Sequence, residues 1–300
     1  MAQLVREGSP VVSSNEAAAT RRRRNALRHV TTRTIIYAIA VLVLILQFFP
    51  LLWALLTSLM TPQETTSVPA TLLPAHPTFA SYAQALQGDI GHYYINSTVV
   101  SIVSTIITMI LATLAAYAFA RLKFRFKGPL LLFVLFFSLF PPLVQVIPIY
   151  QVLLALHLLN TWGGLILPYS IFGLPLAVLV LIAFFQDVPP ELEEAGIVDG
   201  LSRFQTFLQI VLPLTIPGLL ATAIIVFVGD WNEYLFALNY TSSNTYTLPV
   251  GIVNISQTEF TTNFGVLSAA TILSVVPLVI LIVLLERRIV SGLTAGALKG

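Results

Sequence analysis

No cysteine occurs among the 300 residues, and only 9% of them carry a charge. The first absence excludes a disulfide framework, a thiolate metal site and a thiol nucleophile. The second reaches further. Soluble domains carry roughly 25% charged residues, so this chain lacks the polar groups to cover a surface in water. Glycine (16) and proline (18) are too sparse for a collagen-like or low-complexity chain. Four histidines, His29, His76, His92 and His157, lie far apart with no ligand spacing, so a metal site has no support. No G-x-x-x-x-G-K-S/T phosphate loop occurs. What the chain has instead is apolar residues, 57% of the total.

Those residues fall into runs of the length a bilayer requires, roughly 20 residues for about 30 Å of hydrocarbon. Six runs qualify: Ile35–Leu59, Asn96–Ala120, Gly128–Pro148, Trp162–Phe185, Leu214–Asn239 and Phe264–Leu285. The pattern predicts an all-α polytopic membrane protein with six transmembrane helices. Residues 149–159 are apolar but too short to span, and are expected as a short interfacial helix. The 15 lysines and arginines test the topology. Seven precede the first run, four lie between runs two and three, Arg203 lies between four and five, and three follow the sixth. The other three loops hold none. Such segregation is what the positive-inside rule demands of six spans with both termini in the cytoplasm. The layout is then a basic tail over residues 1–34, expected to be disordered, a membrane domain over 35–285 and a cytoplasmic tail over 286–300. The RRRRNALRHV stretch reads as topogenic charge beside an anionic leaflet rather than a nucleic-acid site. The first run is too long for a secretory signal peptide, and no small-residue cleavage site follows it.

Two outside loops are rich in prolines, hydroxyls, amides and aromatics. Three N-x-S/T triplets occur, at Asn96, Asn239 and Asn254, and two touch span ends. The inside loop over residues 186–213, QDVPPELEEAGIVDGLSRFQTFLQIVLP, carries more information. Pro189 and Pro190 suit a first helical turn, and Glu191, Glu193 and Glu194 complement the positive end of the helix dipole. Gly200 can take the left-handed conformation that closes a helix. Ser202 with Gln205 three residues on is a capping-box start for a second helix. Phe204, Phe207, Leu208 and Val211 then share one face. A helix–turn–helix beneath the membrane is predicted.

In this loop, Glu194-Ala195-Gly196, Gly200, Ile210, Leu212 and Pro213 stand at the spacing E-A-A-x3-G-x9-I-x-L-P. The chain thereby resembles the permease subunits of ABC importers, with Gly196 where the family usually has alanine. Gly229-Asp230-Trp231-Asn232-Glu233 is similar to the G-x-W-N-D/E element of maltose-type carbohydrate permeases. The end of the chain, Gly292 to Gly300, resembles their G-L-T-x-G-x-x-K-G tail. The resemblance runs from about residue 30 onward. It implies one of two permease subunits of a binding-protein-dependent sugar importer in a bacterial or archaeal cytoplasmic membrane. The partners implied are a second homologous permease, two ATPase subunits that hold ATP and magnesium, and an extracytoplasmic solute-binding protein. This chain itself would bind no cofactor and catalyse no reaction.

The resemblance makes residues 186–213 the coupling loop, with Glu194, Ala195, Gly196, Asp199, Gly200, Ile210, Leu212 and Pro213 as its ATPase-coupling positions. Gly292, Thr294, Gly296 and Lys299 would reach between the ATPase subunits. Asp230, Asn232 and Glu233 are the one cluster of acids and amides inside a predicted span. Acids at membrane depth face a cavity, a partner helix or water. With Trp231, they either line the translocation path or pin span five against the second permease, and Trp231 is also a candidate interface anchor. Competing classes are a secondary transporter, an intramembrane hydrolase and an ABC importer of a non-sugar solute such as glycerol-3-phosphate. The first wants inverted repeats and midplane charges, and the second a G-x-S-x-G, H-E-x-x-H or paired-aspartate motif. None of these is evident.

Overall fold

A computed structural model describes residues 14–258 and 263–297. Every regular element among them is helical. By contact density the chain divides into residues 1–53 and residues 54–300.

The first unit is essentially one helix, α1 (Ser14–Ser58), whose last turns enter the second unit. Residues 14–34, expected as part of a disordered tail, are instead its opening turns. Composition supplies the reason: alanine, glutamate and arginine are among the strongest helix formers, and they run without a breaker into the apolar stretch. Residues 1–13 fall outside the described part. Within α1, residues 32–58 are long and apolar enough to cross a bilayer.

In the second unit, the connection after α1 carries two short helices, α2 (Pro62–Thr65) and α3 (Ala80–Gln87). Glu64 organises it. Its carboxylate accepts the backbone N–H groups of Thr61 at 2.8 Å, Ala75 at 3.0 Å and His76 at 3.1 Å. The Thr61 N–H foremost holds the carboxyl below its ordinary pKa, against a smaller opposing effect of burial. A depressed carboxylate stabilises its surroundings above its unfolded pKa and ceases to do so as pH falls through the folded value. The amides of Thr61, Ala75 and His76 should therefore keep their exchange protection at neutral pH and lose it on acidification below the ordinary glutamate range. Protection that is flat with pH would contradict this account.

Helix α4 (Asp89–Arg121) follows, then α5 (Lys127–Ser138), α6 (Pro142–Ala155) and α7 (Gly163–Asp187). The short helices α8 (Pro190–Val198) and α9 (Arg203–Thr206) lead through a π-turn at Phe207–Val211 and α10 (Leu212–Leu214) into α11 (Ile216–Trp231). Three more complete the chain: α12 (Leu235–Tyr240), α13 (Leu248–Thr258) and α14 (Phe264–Ala297).

Four helices among the described residues suit a membrane crossing by length and composition, and two bent pairs raise the number to as many as six. Two expected spans, the third and the fifth, are corrected. The third was expected as one helix over 128–148, with a separate interfacial helix after it. Instead α5 ends at Ser138 and α6 departs at 98°, taking up residues 142–155 together. Pro141 and Pro142 cause the break, since proline supplies no N–H and excludes the helical conformation before it. The fifth was expected unbroken over 214–239. The 75° bend between α10 and α11 falls at Thr215, beside the turn that Pro213 was expected to begin, whereas α11 stops at Trp231 with a separate α12 beyond it.

Helices α4 and α7 form the most extensive pairing, and α11 packs on both. The buried face of α4 is small and hydroxylated: Ser97, Ser101, Ser104, Thr108, Ala112 and Ala116. Small residues let membrane helices approach closely, where lipid offers no hydrophobic drive. Gly173 of α7 meets this face, and a Cβ there would lie 3.3 Å from methyls of both Thr108 and Val226. Thr108 Oγ1 donates to the Ser170 carbonyl across the pair at 3.2 Å. One apolar cluster (Ala116, Phe119, Leu181, Phe185, Phe207, Val211) packs at the α8 end of these helices. At the other end Asn96 is fully buried. It donates to the Asn244 and Tyr246 carbonyls and accepts from Trp162 Nε1 at 2.9 Å. That placement removes Asn96 as a glycan acceptor.

Candidate functional site

The loop singled out in the sequence folds as two short helices. Pro190 opens α8 at its first position. Its end is a Schellman closure: Gly200 has φ +89°, its N–H reaches the Ile197 carbonyl at 3.0 Å, and the Leu201 N–H reaches the Gly196 carbonyl at 3.0 Å. The turn needs glycine for its conformation alone, because a Cβ at Gly200 would meet open space. Ser202 and Gln205 form the reciprocal capping box, at 2.9 and 3.3 Å. The second helix then loosens into the π-turn that carries Phe207, Ile210 and Val211.

Gly196 is the buried residue of α8. A Cβ there would come within 2.5 Å of Ile210 Cδ1 and 3.4 Å of Thr206 Cγ2. The glycine therefore does more than loosen its helix: it admits the second helix of the loop. Ile210 Cδ1 is the far end of a flexible side chain, so alanine is accommodated by rotating it. Gly196→Ala should gain about 0.5–1 kcal/mol of helix propensity, most of it offset by that displacement. Net stability should change by under ~1 kcal/mol, read as a small shift of the unfolding midpoint in detergent. A large loss would mean that Ile210 cannot move.

The acids of α8 divide in role. Glu194 and Asp199 are exposed, as are Ala195 and Gly200, so these positions stand free for a partner. Glu193 faces inward, its Oε1 lying 2.7 Å from Arg121 Nε at the end of α4. Tyr117 Oη also donates to its Oε2 at 3.2 Å. Ile210, Leu212 and Pro213 are partly buried to exposed on the approach to α11.

The intramembrane cluster turns mostly inward as well. Asp230 is 9% exposed, and its Oδ2 accepts the Ser104 hydroxyl at 2.6 Å and the Thr105 hydroxyl at 3.4 Å, joining α11 to α4. Trp231 is 2% exposed. It donates from Nε1 to the Ser274 carbonyl of α14 at 3.0 Å and stacks on Phe227. It is a core residue rather than an interface anchor, because that contact draws the indole between helices. Glu233 accepts from Tyr169 Oη at 2.6 Å and from the N–H groups of Phe236 (2.8 Å) and Ala237 (3.1 Å). It thereby caps α12 and ties it to α7. Asn232 stays exposed, its amide bonded back to the Val228 carbonyl.

Gly292, Thr294 and Gly296 fall in the closing turns of α14, and Lys299 lies outside the described residues. Among the described residues, no three of His, Cys, Asp and Glu gather as a metal ion requires. The sequence gives no sign of the contacts made by Ser104, Tyr117 and Arg121, and marks Glu193 only as a dipole-complementing acid. Ser104 was legible as one step in the three-to-four spacing of small residues along α4. Arg121 was read as topogenic charge only.

Residues 109–294 match the family described as binding-protein-dependent transport system inner membrane components. The sulfoquinovosyl glycerol transport system permease protein SmoH of Agrobacterium fabrum is 41% identical over 87% of this chain and 92% of its own length. The trehalose transport system permease protein SugB of Mycobacterium tuberculosis is 38% identical, over 84% and 92%. The trehalose/maltose transport system permease protein MalG of Thermococcus litoralis is 36% identical, over 87% and 95%. Among solved structures, a chain of a bacterial ABC transporter involved in the import of the acidic polysaccharide alginate superposes with a TM-score of 0.73. It covers 88% of this chain and 97% of that one at 17% identity, a likeness of fold.

Proposed function

The chain belongs to the family of binding-protein-dependent transport system inner membrane components, and we propose that it is a permease subunit of an ATP-driven sugar importer. In this reading it is a multi-pass membrane protein with six spans, each bent pair counting as one, and with both termini on the cytoplasmic side. A second permease completes the translocation path, and an extracytoplasmic binding protein delivers the sugar. Two separate ATPase subunits hold ATP and magnesium, and their closure drives alternating access.

The observation that carries the reading is α8. A helix of nine residues starts at Pro190, is closed at its far end by Gly200, is braced against the bundle from behind, and is free on its other side. Such a helix can carry a push without deforming. Glu194 offers an exposed carboxylate to an ATPase cleft. Val198, 86% exposed, offers an apolar tip, and Gly200 sets the angle at which the helix leaves the membrane domain. The terminal segment with Gly292, Thr294, Gly296 and Lys299 extends the contact with the ATPases. Asn232 is the member of the Asp230–Glu233 group left for the path or the second permease.

The test is co-expression with the cognate second permease, ATPase and binding protein. The expected result is a complex that purifies through a tag on this chain and imports the sugar held by the binding protein in a vanadate-sensitive manner. Uptake that ignores vanadate and collapses with a protonophore would replace the reading with a secondary transporter.

A further inference from the structure

The end of α4 touches the loop at three separate places. Arg121 lies in the last turn of α4, where a cation suits the negative end of the helix dipole. Its Nη2 donates to the carbonyl of Val188, the residue that caps α7. Its Nε pairs with Glu193 of α8 at 2.7 Å. One turn earlier, Tyr117 donates to the other oxygen of Glu193. The Tyr117 ring lies against Phe207 of the π-turn, 4.5 Å between centroids, and edge-on to Phe185 of α7. The ion pair is shielded, with side chains 13% and 15% exposed. The planar guanidinium fork lets Nη2 donate to the carbonyl while Nε meets the carboxylate as a charge contact outside hydrogen-bond geometry.

We propose that Arg121, Tyr117 and Glu193 form a clasp that makes α8 and α4 move as one body, so that the ATPase stroke enters the bundle through α4 as well as through α7 and α11. This rests on the permease reading above. The covalent chain joins α8 only to its neighbours α7 and α9. Without the clasp, a push on α8 could be absorbed by bending at Val188 and at the π-turn. With it, the stroke reaches α4, whose other contacts include Asp230 of α11 through Ser104. The three residues act by positioning the loop.

The absence of cysteine makes the test direct. Spin labels are placed on Leu192→Cys of α8 and Leu114→Cys of α4, both exposed and outside the clasp and the ATPase-facing positions. Distances are read in the assembled complex without nucleotide and with ATP and vanadate. The native pair should keep its distance in both states, whereas in Arg121→Ala it should shift between them. ATP hydrolysis by the Arg121→Ala complex, purified in native amount, should fall roughly 2- to 30-fold. Arg121→Lys keeps the charge but loses the fork, and should recover only part of the activity. If Arg121→Ala does not assemble, Arg121→Lys and Glu193→Gln are read in its place. A native distance that itself shifts, a variant distance that does not, or failure of all three variants to assemble while the native chain does would overturn the clasp. Failure of the native chain to purify with an ATPase would instead overturn the permease reading.

Discussion

Replacing Glu233 by alanine is expected to destabilise the folded chain by roughly 2–4 kcal/mol, the sum of a lost interhelical bond and two uncapped amides. The chain is not helical between Trp231 and Leu235, so two consecutive backbone N–H groups, of Phe236 and Ala237, depend on the Glu233 carboxylate. The third bond comes from Tyr169 Oη, on a tyrosine 2% exposed. Alanine would leave all three donors, on residues no more than 4% exposed, without their acceptor, a loss that costs most where a bilayer keeps water away. Glu233→Gln keeps one acceptor oxygen in the same place and should cost less than half as much. Thermal unfolding of the purified chain in detergent reads both. An alanine variant that melts with the native protein would mean that water or lipid headgroups already serve these donors.

Gly200→Glu is expected to leave the complex assembled and to cut its ATP hydrolysis by about tenfold. A side chain at φ +89° costs an L-residue ~1–2 kcal/mol, a factor of about 5–30 in the population of the native turn. No neighbour would clash, since the space around a Cβ is open, so the whole effect falls on the conformation that closes α8. Gly200→Asn is the discriminating control, because asparagine tolerates the left-handed region, and it should retain most activity. Equal losses for asparagine and glutamate would point to bulk at the partner's surface instead of the turn. Unchanged hydrolysis in Gly200→Glu would remove Gly200 from coupling altogether.

Much of the loop that carries α8 and α9 is legible in the sequence. The Pro190 start, the Gly200 stop and the Ser202–Gln205 box each depend on residues within one turn of each other, and all stand where their spacing put them. The two acids three and four residues into α8 were not separable in the same way. Glu193 and Glu194 read alike in sequence, and only the approach of α4 makes the first a shielded partner of Arg121 and leaves the second exposed. The cluster from Asp230 to Glu233 was visible as polar groups in an apolar run. Its direction was not. Asp230 reaches Ser104 over 126 positions of chain and Glu233 reaches Tyr169 over 64, contacts that no local spacing encodes.

The low charge of the chain, its missing thiols and its apolar runs determined by themselves that the solvent is lipid and the elements are helices. A bilayer leaves the backbone no other way to satisfy its hydrogen bonds here, and that constraint acts locally, run by run. Which side each helix turns inward, where two of the expected spans are interrupted, and which of the scarce charges are spent inside the fold were decided only by packing. Arg121 is the clearest case. Its sequence position marked a cytoplasmic flank, while the tertiary structure sets it between α4, α7 and α8, because a cation with a forked donor set lies beside a carbonyl and a carboxylate brought there from elsewhere in the chain.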